Sequence, residues 1–191
     1  MARTLAVYGG SFNPPHLGHA LVAQGILKRG VADRVLFVPS AAHPHGKQSV
    51  PFAYRMALLS AMVRDLTMGG QTPFLVSDVE YRLSKTTRGS VFTYDLLCYL
   101  RDVEYKHEDL EIRFVVGSDI LDQTSTWHNW DQIQTEFGLV VFGREGYASP
   151  DNVPVIPGFS SSHIRDLIKI GGGWQSQVTP GVGALLPGPY Q

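Results

Sequence analysis

The chain has 191 residues, of which 43% are apolar and 17% charged, and its formal net charge is −1. This length predicts a single domain over residues 1–191, with enough apolar residues to fill a core. The balanced charge excludes a global basic field for nucleic acid or membranes, and the single cysteine excludes a disulfide within one chain.

The sequence has no feature of an exported or membrane-anchored protein. No secretion signal opens it, and no apolar run approaches the ~20 residues that a membrane-spanning helix needs. We therefore expect a cytoplasmic protein with neither nucleic acid nor membrane as a partner. The sequence is compatible with a homo-oligomer.

Short apolar runs alternate with longer stretches of helical periodicity. The apolar runs predict strands at 4–9, 34–39, 74–81, 111–118 and 138–143, with a short sixth at 152–157. The periodic stretches predict helices at 19–30, 51–66, 92–103, 129–134 and 160–170. This alternation predicts an α/β fold with a doubly wound, Rossmann-like parallel sheet. From about residue 171 the tail is rich in glycine and proline, and we expect it to be irregular.

The first strand ends in a distinctive turn, GGSFNPPHLGH at 9–19. Glycines let a ligand approach the backbone, and prolines stiffen the chain before the next helix. A helix that begins near His16 or Leu17 would aim free N–H groups at an anion. His16 and His19 share one face of that helix, and Gly18 between them predicts a close approach. By itself the histidine pair also fits two surface residues or a sparse metal site.

A second candidate anion site precedes the last predicted helix. Ser160, Ser161 and Ser162 can cap this helix, and their hydroxyls lie beside its free N–H groups. Arg165 falls in the first turn, where a cation is unfavourable next to the helix dipole. A polyphosphate between the serines and this arginine would explain the position. The alternative is a serine-rich loop with a surface arginine.

Both segments resemble the nucleotidylyltransferase superfamily. GGSFNPPHLGH is similar to its HxGH signature, and the Phe-Asn-Pro form resembles the nicotinate/nicotinamide-nucleotide adenylyltransferases. FSSSHIR is similar to the family motif [IF]SSTxIR, with Ser162 where threonine is usual. The resemblance extends from Leu5 to about Ile168 and includes VPSAAHPHGK, SVFTYDL, GSDILDQTSTWHNW and FGREGY.

The resemblance implies roles for individual residues. The implied catalytic residues are His16, His19 and Arg165, the histidines supplying positive charge in place of a lysine. The implied ATP site comprises Gly9, Gly10, Ser11, Phe12, His16, His19, Gly117, Asp119, Ser160, Ser161, Ser162 and Arg165. The implied mononucleotide site comprises Ser11, Phe12, Lys47, Thr93, Trp127 and Arg144. Asp119 would bind the adenosine ribose, and Trp127 would stack on the pyridine ring unless it is core packing.

The implied reaction joins ATP to nicotinate or nicotinamide mononucleotide, giving deamido-NAD or NAD and pyrophosphate. Its implied cofactor is Mg²⁺ bound through substrate phosphates, without protein ligands. The side chains do not decide between acid and amide, because backbone groups can satisfy either. The alternatives are another nucleotidylyltransferase, such as a phosphopantetheine adenylyltransferase or a cytidylyltransferase, and a non-catalytic nucleotide sensor.

Overall fold

A computed structural model describes residues 3–41, 49–67, 73–87 and 90–190. Six parallel strands form one sheet in the order β3-β2-β1-β4-β5-β6. The strands are β1 (Arg3–Gly10), β2 (Arg34–Pro39), β3 (Phe74–Val76), β4 (Leu110–Gly117), β5 (Leu139–Arg144) and β6 (Val155–Ile156). The helices are α1 (Leu17–Lys28), α2 (Phe52–Leu66), α3 (Val79–Thr86), α4 (Thr93–Tyr99), α5 (Trp130–Gln132), α6 (Ser161–Lys169) and α7 (Pro180–Leu185). The predicted doubly wound fold is confirmed.

Helices cover both faces of the sheet. Successive strand side chains point to opposite faces, so each strand contributes to two apolar clusters. The cluster under α1, α2 and α6 includes the strand residues Ala6, Val35, Phe37, Val115 and Phe142. The cluster under α3 and α4 includes Leu5, Val7, Leu36, Phe114 and Val116. Both clusters are buried, and together they hold the sheet rigid behind its carboxyl edge.

The sheet order reverses next to β1. The chain passes from β1 to β2 on one side and later returns to place β4 on the other side of β1. In open α/β sheets such a switch leaves a crevice beyond the carboxyl ends of the two strands. Here the crevice opens between Gly10, which ends β1, and Gly117, which ends β4.

The prediction of a strand over 74–81 is wrong in its second half. Only Phe74–Val76 pairs with β2, and α3 begins at Val79. The Ser77 hydroxyl accepts a hydrogen bond from the Val79 N–H at 3.2 Å, which bends the chain out of the sheet. Because β3 lies at the edge of the sheet, no further strand restrains the chain there.

The prediction of an irregular tail is also wrong. Residues 180–185 form α7, and short 3₁₀ turns cover 175–177 and 188–190. The tail returns its apolar residues to the cluster under α1 and α2: Trp174, Val178, Val182, Leu186 and Tyr190. Glycine and proline therefore mark tight turns here, while apolar burial fixes the path.

The other predicted elements agree with the structure. Two helical stretches end in a wider turn, at Leu100–Glu104 and Ile133–Phe137, and the short sixth strand pairs with β5. In the described part of the chain, no helix combines the length and apolar character that crossing a bilayer requires.

Candidate active site

An open cavity of about 260 Å³ occupies the crevice beside β1. Its walls come from the end of β1, the first turn of α1, the ends of β4 and β5, and the segment before α6. Among the lining residues are Tyr8, Gly9, Gly10, His16, Gly18, His19, Gly117, Asp119, Arg144 and Phe159. Seven predicted residues from the first motif and the middle of the chain therefore meet around one space: Gly9, Gly10, His16, His19, Gly117, Asp119 and Arg144. The predicted residues Ser160, Ser161, Ser162 and Arg165 of the second motif are not among those that line it.

The turn before α1 is held in a strained conformation. Phe12 has φ of 46°, a region that side chains other than glycine seldom adopt. Its ring is 1% exposed and packs against the rings of Tyr8, His19 and Phe37 at centroid distances of 5.6, 4.9 and 5.7 Å. Burial of the ring offsets the strain. Because the ring is buried, Phe12 can contact a ligand only through its backbone.

The His19 ring has a defined proton arrangement. Its Nδ1 accepts a hydrogen bond from the His16 backbone N–H at 3.1 Å, and His16 is the N-cap residue of α1. A nitrogen that accepts cannot also carry a proton, so in the neutral ring the proton is on Nε2. His19 therefore presents an Nε2–H donor on the side away from the backbone.

Both histidines are neutral in this environment. Burial, the neighbouring His16 and the Arg144 charge lower the pKa of His19 well below its usual value. Burial and Arg144 lower the pKa of His16 to about 3. The rings stack with centroids 3.7 Å apart, and two charged rings would repel at that distance. The pair is therefore uncharged in the ligand-free protein, and its supply of positive charge to bound phosphates stays a prediction.

A buried neutral histidine makes stability depend on pH. The unfolded chain binds the proton near pH 6.5 and the folded chain resists it, so stability is complete above 6.5 and is lost as pH falls toward 3. Between pH 7 and pH 5, His16 alone should remove about 2 kcal/mol from the free energy of unfolding. Urea titrations should show that His16→Asn loses about that much less than wild type. An equal loss in His16→Asn and in wild type would contradict the assignment.

Gly18 provides room for the His16 ring. A Cβ at this position would lie 3.0 Å from two atoms of that ring and 3.2 Å from Cβ of Phe159. The close approach predicted from Gly18 is therefore real, and its partners include the first catalytic histidine candidate. A methyl group there would force the His16 ring or the Phe159 side chain to shift.

Asp119 and Arg144 form an ion pair across the cavity wall. The Arg144 guanidinium donates to the Asp119 carboxylate and, at 3.2 Å, to the Phe159 carbonyl. Gly117 makes this possible, because a Cβ there would collide with the Asp119 carboxylate. Asp119, predicted to bind the ribose, and Arg144, predicted to bind the mononucleotide, are thus paired with each other in the ligand-free protein.

The start of α6 contacts backbone carbonyls of the turn at 9–19, which we call the Gly/Pro turn. Ser160 caps the helix by accepting from the His163 N–H at 3.4 Å, and the Ser161 hydroxyl donates to the Pro14 carbonyl at 2.8 Å. Arg165 donates to the Asn13 carbonyl at 2.7 Å and to the Ser162 hydroxyl at 3.1 Å. The two predicted anion motifs are therefore brought together, although they lie about 140 residues apart.

Arg55, within the predicted helix at 51–66, is a buried cation beside the site that the sequence analysis did not single out. Its side chain is 2% exposed and donates to the carbonyls of Ser11 at 2.9 Å and Ser40 at 2.8 Å. It thus ties the exit of β1 to the exit of β2. The sequence indicates that Arg55 is buried, since it lies on the same helical stripe as Leu58, Leu59 and Met62.

Two further predicted residues, Trp127 and Thr93, do not line the cavity. Trp127 is half-buried and packs on Phe114 and Trp130, at 6.1 and 5.8 Å between ring centroids. It borders a second depression of about 320 Å³ that also includes Asn129 and Trp130. Thr93 begins α4. Lys47 lies outside the described residues.

Sequence comparison identifies close counterparts of the whole domain. A family described as cytidylyltransferase-like matches residues 7–167. A relative from Anaeromyxobacter dehalogenans, named "Probable nicotinate-nucleotide adenylyltransferase", is 32% identical over 166 residues, which are 85% of this chain and 82% of the relative. A relative of the same name from Myxococcus xanthus is 33% identical and covers 87% of this chain and 83% of its own length.

Solved structures show the same architecture. The Plasmodium falciparum nicotinic acid mononucleotide adenylyltransferase complexed with NaAD superposes with a TM-score of 0.77. The match covers 96% of this chain and 94% of that one at 16% identity, so it supports the fold.

Proposed function

The chain belongs to the cytidylyltransferase-like family of nucleotidyltransferases, and we propose that it joins ATP to nicotinate mononucleotide, releasing pyrophosphate, in NAD biosynthesis. The observation that carries the proposal is the meeting of His16, His19 and the α6 motif at one turn. The names of the relatives favour the nicotinate form. The arrangement offers uncharged donors on one side and a cation with helix N–H groups on the other.

The proposed step needs alignment more than proton transfer. A phosphate oxygen of the mononucleotide attacks the α-phosphorus of ATP, and the bond from that phosphorus to its β-bridging oxygen breaks. The attacking phosphate monoester has a second pKa near 6 and is largely dianionic at neutral pH, so no general base is required. The protein must bring two polyanions into line and stabilise the charge that develops on pyrophosphate.

The described residues can meet these demands. His19 Nε2–H is a donor for an α- or β-phosphate oxygen, and backbone at Gly9 and Gly10 leaves room for the phosphates to approach. Ser161, Ser162 and Arg165 would hold the pyrophosphate end, because the N-terminus of α6 favours anions. Arg165 would exchange its present contact with Ser162 for phosphate oxygen.

We propose Mg²⁺ as the cofactor, carried in by the phosphates of ATP. Among the described residues, no three His, Cys, Asp or Glu side chains are placed to hold a metal ion together. Asp119, a carboxylate of the cavity wall, is engaged by Arg144. This donor set fits an ion that takes most of its ligands from phosphate and water. When bound, Mg²⁺ would neutralise phosphate charge and support the departure of pyrophosphate.

The proposal is tested by comparing acceptors. Purified protein is incubated with ATP, Mg²⁺ and nicotinate mononucleotide, nicotinamide mononucleotide or phosphopantetheine, and product and pyrophosphate are quantified. We expect kcat/KM to be highest for nicotinate mononucleotide. Turnover of phosphopantetheine alone would move the chain to another branch of the family. The cytoplasmic location and a homo-oligomeric state stay predictions from the sequence.

Trp127 is proposed to stack on the pyridine ring. Its ring is half-buried at the edge of the second depression, so part of one face is free to meet a ligand. Trp127→Ala should raise the KM for the mononucleotide by about 5- to 150-fold, because stacking on an aromatic side chain is worth about 1–3 kcal/mol. Trp127→Phe should recover part of the affinity.

The control for this prediction is Trp174→Phe. Trp174 is 8% exposed in the opposite apolar cluster, so its replacement should lower stability without changing that KM. An unchanged KM in Trp127→Ala would mean that this residue only packs against the core.

A further inference from the structure

Four side chains donate hydrogen bonds to residues 11–14 of the Gly/Pro turn that precedes α1. Three belong to elements already described: Arg55 binds the Ser11 carbonyl, Arg165 the Asn13 carbonyl and Ser161 the Pro14 carbonyl. The fourth comes from the tail. The Tyr190 hydroxyl donates to Oδ1 of Asn13 at 2.8 Å, across 177 residues of sequence.

The bond between Tyr190 and Asn13 is fully buried. Tyr190 is 6% exposed and Asn13 is 5% exposed, and burial raises the pKa of the Tyr190 phenol above its usual value. The phenol is therefore a neutral donor. If the hydroxyl were lost, water would have little access to Oδ1 of Asn13, so that acceptor would lose its partner in a setting where an unmade hydrogen bond is costly.

The position of Asn13 restricts where the two histidines can lie. Its side chain is fixed by Tyr190 and its carbonyl by Arg165, so both of its oxygen acceptors are engaged from behind the turn. Only Pro14 and Pro15 separate it from His16, and proline rings restrict backbone rotation. A change in the orientation of Asn13 must therefore move the first residue of the histidine pair.

The tail reaches Asn13 along a defined path over α2. The Gly181 N–H donates to Asp65 at 2.7 Å, the Tyr54 hydroxyl donates to the Leu185 carbonyl at 2.5 Å, and Val182 is fully buried. The Tyr54 and Tyr190 rings then lie 6.0 Å apart. These anchors bring Tyr190 to the turn, and none of the described tail residues, 171–190, lines the cavity.

We propose that Tyr190 is a positioning residue of the active site, and that the tail after α6 serves to deliver its hydroxyl to Asn13. The kinetic test of this inference rests on the proposed function. Tyr190 touches no substrate; it fixes the turn from which His16 and His19 project. The tail is thus part of the catalytic apparatus as well as of the core.

The test compares two variants that each remove one phenol hydroxyl from the same pair of rings. Tyr190→Phe deletes the bond to Asn13, whereas Tyr54→Phe deletes the bond to the Leu185 carbonyl, which lies within the tail. We expect Tyr190→Phe to lower kcat by about 5- to 30-fold, with the mononucleotide KM within about twofold of wild type. Tyr54→Phe removes one anchor of the tail but keeps the Gly181 anchor and the bond from Tyr190 to Asn13, so it should lower kcat by less than about twofold. A kcat for Tyr190→Phe equal to that of Tyr54→Phe would overturn the proposal.

A double mutant identifies the route of the effect. In an Asn13→Ala background, Tyr190→Phe should cause no further loss of kcat, because the acceptor is already absent. A second full loss in that background would show that the hydroxyl acts elsewhere and would overturn the assignment to Asn13.

Hydrogen exchange separates this inference from the proposed enzyme activity. Amides of residues 10–19 should exchange faster in Tyr190→Phe than in Tyr54→Phe, whether or not the wild type forms dinucleotide. Wild-type protein without turnover would defeat the proposed function, yet this exchange difference would still support positioning. Equal exchange in the two variants would contradict it.

Discussion

Replacing His19 by alanine is expected to lower kcat by at least about 100-fold while the fold survives, because a donor to the reacting phosphates is lost. The ring is attached to the turn through the His16 N–H, so its Nε2–H is held in place before substrate arrives. Steady-state kinetics with saturating ATP and mononucleotide measure the effect. His19→Gln, which keeps an N–H donor, should retain more activity than His19→Ala.

His107 provides a matched control for this prediction. It is an exposed histidine in the turn before β4, outside the residues that line the cavity. His107→Ala should leave kcat unchanged. An unchanged rate in His19→Ala would remove His19 from the chemistry and weaken the case for the HxGH turn as the phosphate site.

Removal of the Arg165 guanidinium should also lower kcat strongly, by about 100- to 1000-fold, because charge on the leaving pyrophosphate would then lack its cation. Arg165→Ala additionally breaks the bond to the Asn13 carbonyl, so part of the loss reflects the position of the turn. Arg165→Lys keeps the charge but cannot donate to phosphate and Asn13 in the same fork geometry, and should recover only part of the rate.

Lys169 is the matched control for Arg165. It is an exposed cation in the last turn of the same helix. Lys169→Ala should therefore preserve kcat and the KM for ATP. If Arg165→Ala raised only the KM for ATP and kept kcat, Arg165 would serve ground-state binding and not the transition state.

Local sequence patterns were sufficient to predict where the candidate site lies. The strand–turn–helix at 9–19 and the capped helix at Ser160 each predict an anion site from short-range rules, and the parallel sheet brings both to one edge. The alternation of apolar runs and helical stretches likewise predicts the fold. These features depend on residues close together in sequence, which is why one chain reveals them.

The remaining features depend on contacts between distant parts of the chain. The neutral state of His16 and His19 follows from burial and from Arg144, which lies about 125 residues away. The tail was predicted to be irregular because its glycines and prolines dominate the local pattern, whereas its apolar residues are fixed by α2. Arg55 could have been identified from its place on a buried helical stripe, but its carbonyl partners could not.

The most direct test of the central claim follows the phosphorus atoms of ATP. The protein is incubated with Mg²⁺, nicotinate mononucleotide and ATP labelled at either the α- or the γ-phosphorus. The account predicts that the α-label enters the dinucleotide and the γ-label leaves in pyrophosphate, in equal amounts. A γ-label found in inorganic phosphate or on the mononucleotide would contradict adenylyl transfer, and labelled ATP that is bound but unchanged would identify a sensor.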